Sequence, residues 1–154
     1  MHTFSVFVDV KMCNSRQHYF MEQAVKMAKK STMEQKHGAV IVHNNEIIAT
    51  GFNFRQYYMC HGFSIHAEVD ALTKVKGRRN ILSEAELYVA RIGKFNPAAP
   101  SSFCLKYSKP CRECSNAILK HGIRKVYYST AETSIESNDE TSSGEVSMDS
   151  CIYR

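Results

Sequence analysis

Apolar positions along the chain change period several times, and each change predicts an element. Phe20, Ala24, Met27 and Ala28 recur at helical spacing, with Lys26, Lys29 and Lys30 mostly off that face, which predicts an amphipathic helix. Asn14 or Ser15 caps its start. Ala39-Val40-Ile41-Val42 and Ile47-Ile48-Ala49-Thr50 are runs of strand length, and His43-Asn44-Asn45-Glu46 between them carries a turn signal, so the pair reads as a hairpin. Gly51 to Ser64 reads as an aromatic-rich loop. The helical period returns at Ala67, Ala71, Leu72 and Val75, with Ser64 as the expected N-cap and Gly77-Arg78-Arg79-Asn80 as the stop. Glu86 to Ile92 predicts a third strand, and Gly93 to Lys109 a long loop. Pro110 suits the first position of a further helix. Cys114, Ala117, Ile118 and His121 share a face of that helix, and Gly122 ends it. Ile123 to Ser129 is a fourth strand, and a short last strand is expected near Glu145–Tyr153.

The order helix, strand, strand, helix, strand, helix, strand predicts an α/β fold, a mixed sheet with helices packed on its faces. Its 154 residues, 44% apolar and 23% charged, suit one globular domain. From Thr130 to Ser150 the chain turns to Ser, Thr, Glu and Asp, so residues 1–130 are expected to form the domain and 131–154 a flexible polar segment. There is no internal repeat.

No run of about 18 apolar residues is present, and Met1–Val10 lacks the regions of a secretory signal. The expectation is an intracellular protein with no membrane partner. A net charge of +5 suits a phosphate-bearing substrate but falls short of a nucleic-acid arm, and a lysine-rich solvated surface gives the same value. Of the six cysteines, Cys111 and Cys114 are spaced as metal ligands, whereas Cys13, Cys60, Cys104 and Cys151 read as free thiols.

The chemistry rests on two motifs, His66-Ala67-Glu68 and Pro110-Cys111-Arg112-Glu113-Cys114. Catalytic zinc takes three protein ligands and leaves a fourth position for water. Two cysteines three apart at a helix start meet the positive end of the helix dipole, which favours thiolate. His66 supplies the third ligand. Bound zinc lowers the pKa of its water toward ~7. Glu68, two residues past the histidine, can carry that proton without binding the metal. A Cys-x-x-Cys pair alone equally fits structural zinc or a redox pair, and His-x-Glu alone says little. Together they match the signature of the zinc deaminases of nucleobases.

From about Tyr19 to Thr130 the chain resembles the cytidine and deoxycytidylate deaminase superfamily. The likeness includes Gly38-Ala39-Val40-Ile41-Val42, Gly51-Phe52-Asn53, the two motifs, and Gly122-Ile123-Arg124-Lys125-Val126-Tyr127-Tyr128. The resemblance implies a three-layer α/β/α fold around a mixed five-stranded sheet, a Zn2+ cofactor on His66, Cys111 and Cys114, and Glu68 as catalytic proton carrier. It also implies a homo-oligomer. Asn53, Ala39 and Ala67 are the implied substrate-binding residues, Asn53 against sugar or base and Gly38-Ala39 as a floor for the base. A turn asparagine is the other reading of Asn53. Asp70, Ser108-Lys109 and the polar tail depart from one or another branch of the superfamily. A second zinc near Cys60, His61 and Cys104 is less favoured than buried thiols.

The expected activity is hydrolytic deamination of a nucleobase amino group, with a free cytosine nucleotide such as deoxycytidylate as the small-molecule partner. Lys36, His37, Arg55, Arg91, Lys94 and Lys109 are candidates for its phosphate, and Phe52, Phe54, Tyr57, Tyr58 and Phe63 for a lid over the base. Two alternatives stay open: deamination within a nucleic acid, to which those aromatics also point, and an inactive zinc-binding subunit. Retention of Glu68 and all three ligands argues against the last.

Overall fold

The computed structural model of the chain describes residues 14–56, 63–75, 77, 79–93, 103–129 and 134–135. Helix α1 (Ser15–Ala28) starts at Asn14, whose side chain accepts from the Gln17 N–H at 2.9 Å while Gln17 reaches back to the Asn14 N–H at 3.4 Å. This reciprocal cap satisfies two donors that the first turn would otherwise orphan. Strands β1 (Lys36–His43) and β2 (Glu46–Phe52) form the expected hairpin. Asn44 and Asn45 turn it at φ 49° and 65°, the left-handed backbone that asparagine tolerates in tight hairpins.

Two short strands follow, β3 (Phe54–Gln56) and β4 (Phe63–Ile65), which pair with each other apart from the main sheet. Then come α2 (Ala67–Lys74), a 3-10 turn at Arg79–Ile81, β5 (Glu86–Ile92), β6 (Phe103–Lys106), α3 (Arg112–Lys120), β7 (Lys125–Tyr128) and β8 (Ser134–Ile135).

The main sheet is mixed. β1 lies antiparallel to both β2 and β5. The other edge of β5 is shared: β7 runs parallel along Glu86–Val89, and β6 runs antiparallel at Arg91 and Ile92. Five strands thus carry the sheet, and the two-residue β8 extends it beside β6. Strand β6 falls inside the region read as a loop, because its register with β5 rests on two residue pairs supplied by the tertiary fold. Cys13, Tyr57, Tyr58, Cys60, His61, Lys94, Cys151, the polar segment apart from Ser134–Ile135, and the last strand expected near Glu145–Tyr153 lie outside the described residues.

Alternation along the strands divides the core into two layers. Phe20, Met21, Ala24, Val25 and Ala28 of α1 pack against Val40, Val42, Tyr88, Ala90 and Ile92. Ala67, Ala71 and Leu72 of α2 and Ile118 of α3 pack on the other face against Ala39, Ile41, Leu87 and Val89. This is the three-layer arrangement that the family resemblance implies.

Gly38 and Gly51 set how closely the helices approach. A Cβ on Gly38 would lie 2.0 Å from the Ala24 carbonyl oxygen, and one on Gly51 2.2 Å from that of Ala67. Gly38 therefore seats α1 with the side it leaves bare, rather than serving as a floor for a base. Gly38→Ala is expected to cost roughly 3 kcal/mol through overpacking. Thermal melts should fall by on the order of 10 °C, and an unchanged melting temperature would contradict this approach of helix and strand.

Candidate active site

The N-termini of α2 and α3 meet on one face of the sheet, and each starts on a side chain that could hold a metal. His66 is the N-cap of α2 and makes no side-chain capping bond. Ser64, the expected cap, lies in β4 instead, because the strand runs on to Ile65. Cys111 is the N-cap of α3, and its Sγ accepts from the Cys114 N–H at 3.5 Å. Pro110 accordingly sits one residue before the cap rather than at the first helical position. Cys111 and Cys114 thus occupy the cap and third position of one turn, which brings both sulfurs to the same end of the helix.

Hydrogen bonds hold both helix starts against the sheet. The Asp70 carboxylate accepts from the Phe52 N–H at 3.1 Å and from Lys74 Nζ at 2.6 Å, tying α2 to the end of β2. The segment leading to Cys111 is tied by a buried serine pair. Ser108 Oγ donates to the Val89 carbonyl at 2.9 Å, Ser129 Oγ lies 2.8 Å from Ser108 Oγ, and Ser129 Oγ donates to the Lys106 carbonyl at 2.6 Å. This pair sits where β6 and β7 divide the edge of β5. At its far end α3 stops at Gly122 (φ 89°), with the Gly122 and Ile123 N–H groups bonded to the Leu119 and Ile118 carbonyls.

The result is a compact donor set. His66 Nδ1 lies 3.2 Å from Cys114 Sγ and 3.6 Å from Cys111 Sγ, and the three ligand atoms fall within 4.8 Å of one another. Metal–ligand distances of about 2.0 Å for nitrogen and 2.3 Å for sulfur give a tetrahedral N···S edge of about 3.5 Å. One nitrogen and two sulfurs at this spacing fit zinc. Among the described residues no other His, Cys, Asp or Glu cluster could hold a metal.

Glu68, in the first turn of α2, is 4% exposed. Burial holds its pKa above the usual carboxylate range, while a bond to its own backbone, the His66 charge and a bond to Cys114 draw it back. A raised carboxyl pKa suits a group that must both take and give a proton near neutrality. Cys114 is buried beside it. Burial first, then the Glu68 charge, pushes the thiol far up, a bias that a coordinated dication reverses.

These groups open on a cavity of about 670 Å³, lined by His66, Ala67, Glu68 and Cys111 together with His37, Asn53, Arg55, Ser108 and Lys109. The family model described as the cytidine and deoxycytidylate deaminase zinc-binding region matches residues 14–130. The chain belongs to this family.

The deoxycytidylate deaminase of Schizosaccharomyces pombe is 33% identical over 125 residues, covering 73% of this chain and 36% of the yeast protein. The chain thus spans little more than a third of that curated relative. A dCMP deaminase from the cyanophage S-TIM5, in apo form, matches at 28% identity and TM-score 0.56, over 77% of this chain and 86% of the phage chain. Cytidine deaminase from Burkholderia pseudomallei, at 19% identity and TM-score 0.53 over 74% of this chain and 83% of its own, shares the fold.

Within this deaminase-family site, the residues expected to meet substrate are placed differently. Ala67 and Asn53 line the cavity. Asn53 is largely committed to the backbone: its Oδ1 accepts from the His37 N–H at 2.7 Å and its Nδ2 donates to the Gln35 carbonyl at 2.6 Å. One N–H and one lone pair remain for a ligand. Ala39 is fully buried in the core against α2 and is not among the cavity's lining residues, because alternation turns its side chain toward that helix.

Of the proposed phosphate contacts, His37, Arg55 and Lys109 line the cavity, whereas Arg91 lines a smaller neighbouring one. Burial lowers the pKa of His37, a bond to Gln35 raises it, and the Arg91 and His66 charges lower it further. Lys36 is in register with Ile92 on the α1 face. The expected aromatic lid is not seen among the described residues. Phe52 packs on Phe54 at 6.0 Å with Lys74 over its ring, Phe63 is 67% exposed, and none of the three lines the cavity.

The Ser108–Ser129 pair has no signal in the sequence, since an isolated serine shows nothing of its burial. Among the described residues no helix is long and apolar enough to cross a membrane.

Proposed function

We propose that residues 1–130 form a zinc-dependent hydrolytic deaminase acting on a free cytosine nucleotide, most closely deoxycytidylate. The observation that carries this reading is the meeting of His66, Cys111 and Cys114 with the buried Glu68 at one open cavity. The cytosine nucleotide comes from likeness to the yeast and phage enzymes, the latter also crystallised with dCMP and dUMP and 25% identical in that structure. His66, Cys111 and Cys114 would hold a zinc ion, which when bound would make hydroxide available at neutral pH. Glu68 takes one proton from the attacking water and gives it to the ring nitrogen, then takes the proton of the new C4 hydroxyl and gives it to the departing amine. The C4–O bond forms, the C4–N bond breaks, and the uracil product leaves with ammonia.

Assembly as a homo-oligomer belongs to the same reading. Tyr107 and Leu119, 54% and 57% exposed, are apolar groups that a second copy would cover.

The test is ammonia release from zinc-loaded protein offered deoxycytidylate, cytidine, guanine and a single-stranded oligonucleotide at moderate salt. Deoxycytidylate is expected to turn over fastest. Faster, salt-sensitive turnover of the oligonucleotide would replace this reading with the nucleic-acid one.

A further inference from the structure

Strand β2 ends the main sheet: β1 pairs with one side of it, and no strand among the described residues pairs with the other. Phe52 is in register with Gly38 and Thr50 with Val40. The Asn53 N–H turns inward and donates to the His37 carbonyl at 3.2 Å. Alternation then turns the backbone N–H and C=O of Phe52 and Thr50 outward, to the free edge. An edge of this kind offers its donors and acceptors to another strand.

Here a helix meets them instead. Asp70 Oδ2 accepts from the Phe52 N–H at 3.1 Å, and Lys74 Nζ donates to the Thr50 carbonyl at 3.1 Å. The two side chains are one turn apart on α2 and joined by an ion pair of 2.6 Å. Lys74 Nζ also lies 5.7 Å from the centre of the Phe52 ring. One acceptor and one donor thus imitate the C=O and N–H of a neighbouring strand. Gly51 makes the reach possible. A Cβ there would lie 2.2 Å from the Ala67 carbonyl oxygen and 2.5 Å from the Ala71 nitrogen. The bare glycine lets the helix backbone lie against the strand, so that a side chain as short as aspartate spans the gap.

The docked turn is the one that carries the chemistry. The Asp70 N–H donates to the His66 carbonyl at 3.0 Å, so His66, Glu68 and Asp70 belong to one helical turn. The strand it docks on leads straight into the cavity wall, because Asn53 follows Phe52. That wall has bonds of its own. Asn53 holds the His37 N–H and the Gln35 carbonyl, and Ser31 Oγ donates to the Asn53 carbonyl at 2.7 Å. Gln35, His37 and Asn53 all line the cavity.

We propose, on the deaminase reading above, that Asp70 is a positioning residue for the reaction. By docking the first turn of α2 on the free edge of β2, it sets how far Glu68 and His66 stand from the cavity wall at Asn53. The wall is held without Asp70, so losing the dock displaces the turn and leaves the wall. A displacement of about 1 Å costs up to about 100-fold in rate. The loss falls on kcat, while KM, set by the wall, stays nearly constant. Charge and hydrogen bond can be separated, because the Phe52 N–H and Lys74 Nζ meet the same oxygen. Asparagine keeps that oxygen as an acceptor and removes the charge.

The experiment uses the full chain, loaded with zinc for kinetics on deoxycytidylate and with Co2+ for visible absorption, whose bands report the ligand geometry. Hydrogen exchange at the Phe52 amide reports the dock itself. Asp70→Ala is expected to speed that exchange by about 10-fold or more, to move the cobalt bands, and to lower kcat by about 10- to 100-fold. Its KM should stay within about 3-fold of the parent. Asp70→Asn should keep the Phe52 protection, the cobalt bands and kcat to within about 3-fold. Asp70→Glu keeps charge and acceptor but lengthens the side chain by about 1.5 Å. It should lower kcat and move the bands in a folded protein, and it serves where Asp70→Ala does not fold.

A merely structural role would lower the melting temperature of Asp70→Ala and Asp70→Glu while leaving their cobalt bands and kcat unmoved, and that result overturns the proposal. Asparagine falling as far as alanine also overturns it, since the charge and not the dock would then matter. Should the parent protein release no ammonia from any nucleobase compound, the deaminase reading fails by itself. Cobalt bands that shift together with Phe52 exchange in Asp70→Ala then still support the positioning of this turn, and bands that stay fixed sink it.

Discussion

Glu68→Ala is expected to lower turnover by about 10²- to 10⁴-fold while zinc content and fold are retained. The carboxyl lies two residues from the ligand His66 yet is not among the three donor groups that approach one another. Removing it therefore leaves the metal's protein ligands in place. Alanine is a strong helix former, so the first turn of α2 persists. What is lost is a positioned proton carrier in a buried setting beside the metal-binding side chains. The fall should appear in kcat rather than KM, because the interaction grows as the transition state is approached. Glu68→Gln keeps shape and removes the basic site, and should match alanine in rate. Steady-state ammonia release with elemental analysis on the same samples checks both. A variant that keeps more than a few per cent of the parent rate would show that another group moves the proton.

Loss of either cysteine is expected to empty the metal site. With His66 and two sulfurs as the protein ligands, Cys114→Ala or Cys111→Ala leaves two donors, too few to hold zinc through purification. Elemental analysis should fall from one zinc per chain toward none. Stability should fall with it, since the ligands join the starts of α2 and α3 and metal that binds only the folded state stabilises that state. The parent protein treated with a chelator should melt at the same lowered temperature as Cys111→Ala, whose side chain is exposed and packs little. Cys114→Ala should melt lower still, because that residue is 1% exposed within the fold. Undiminished zinc in both variants would remove these ligands from the site.

Much of this was legible locally. The cap at Asn14, the Asn44-Asn45 turn, the Gly122 stop and the apolar runs of β1 and β5 are local features, so residue type alone reveals them. The identity of the donors was legible in the same way, as cysteines three apart and a glutamate two beyond a histidine.

Their meeting was not. His66 Nδ1 reaches Cys114 Sγ across 48 positions of sequence, a contact set by how α2 and α3 lie on the sheet. Ser108 and Ser129 find each other across 21, and β6 is a strand only because the end of β5 is free to pair with it. Ala39 and Gly38, small residues that look available to a ligand, are taken up by the packing of α2 and α1. A chain carries its periodicities and turn chemistry in its local order, and these decide which elements form. Which side chains become neighbours depends on strand register and helix approach, where a shift of one residue turns every side chain to the opposite face.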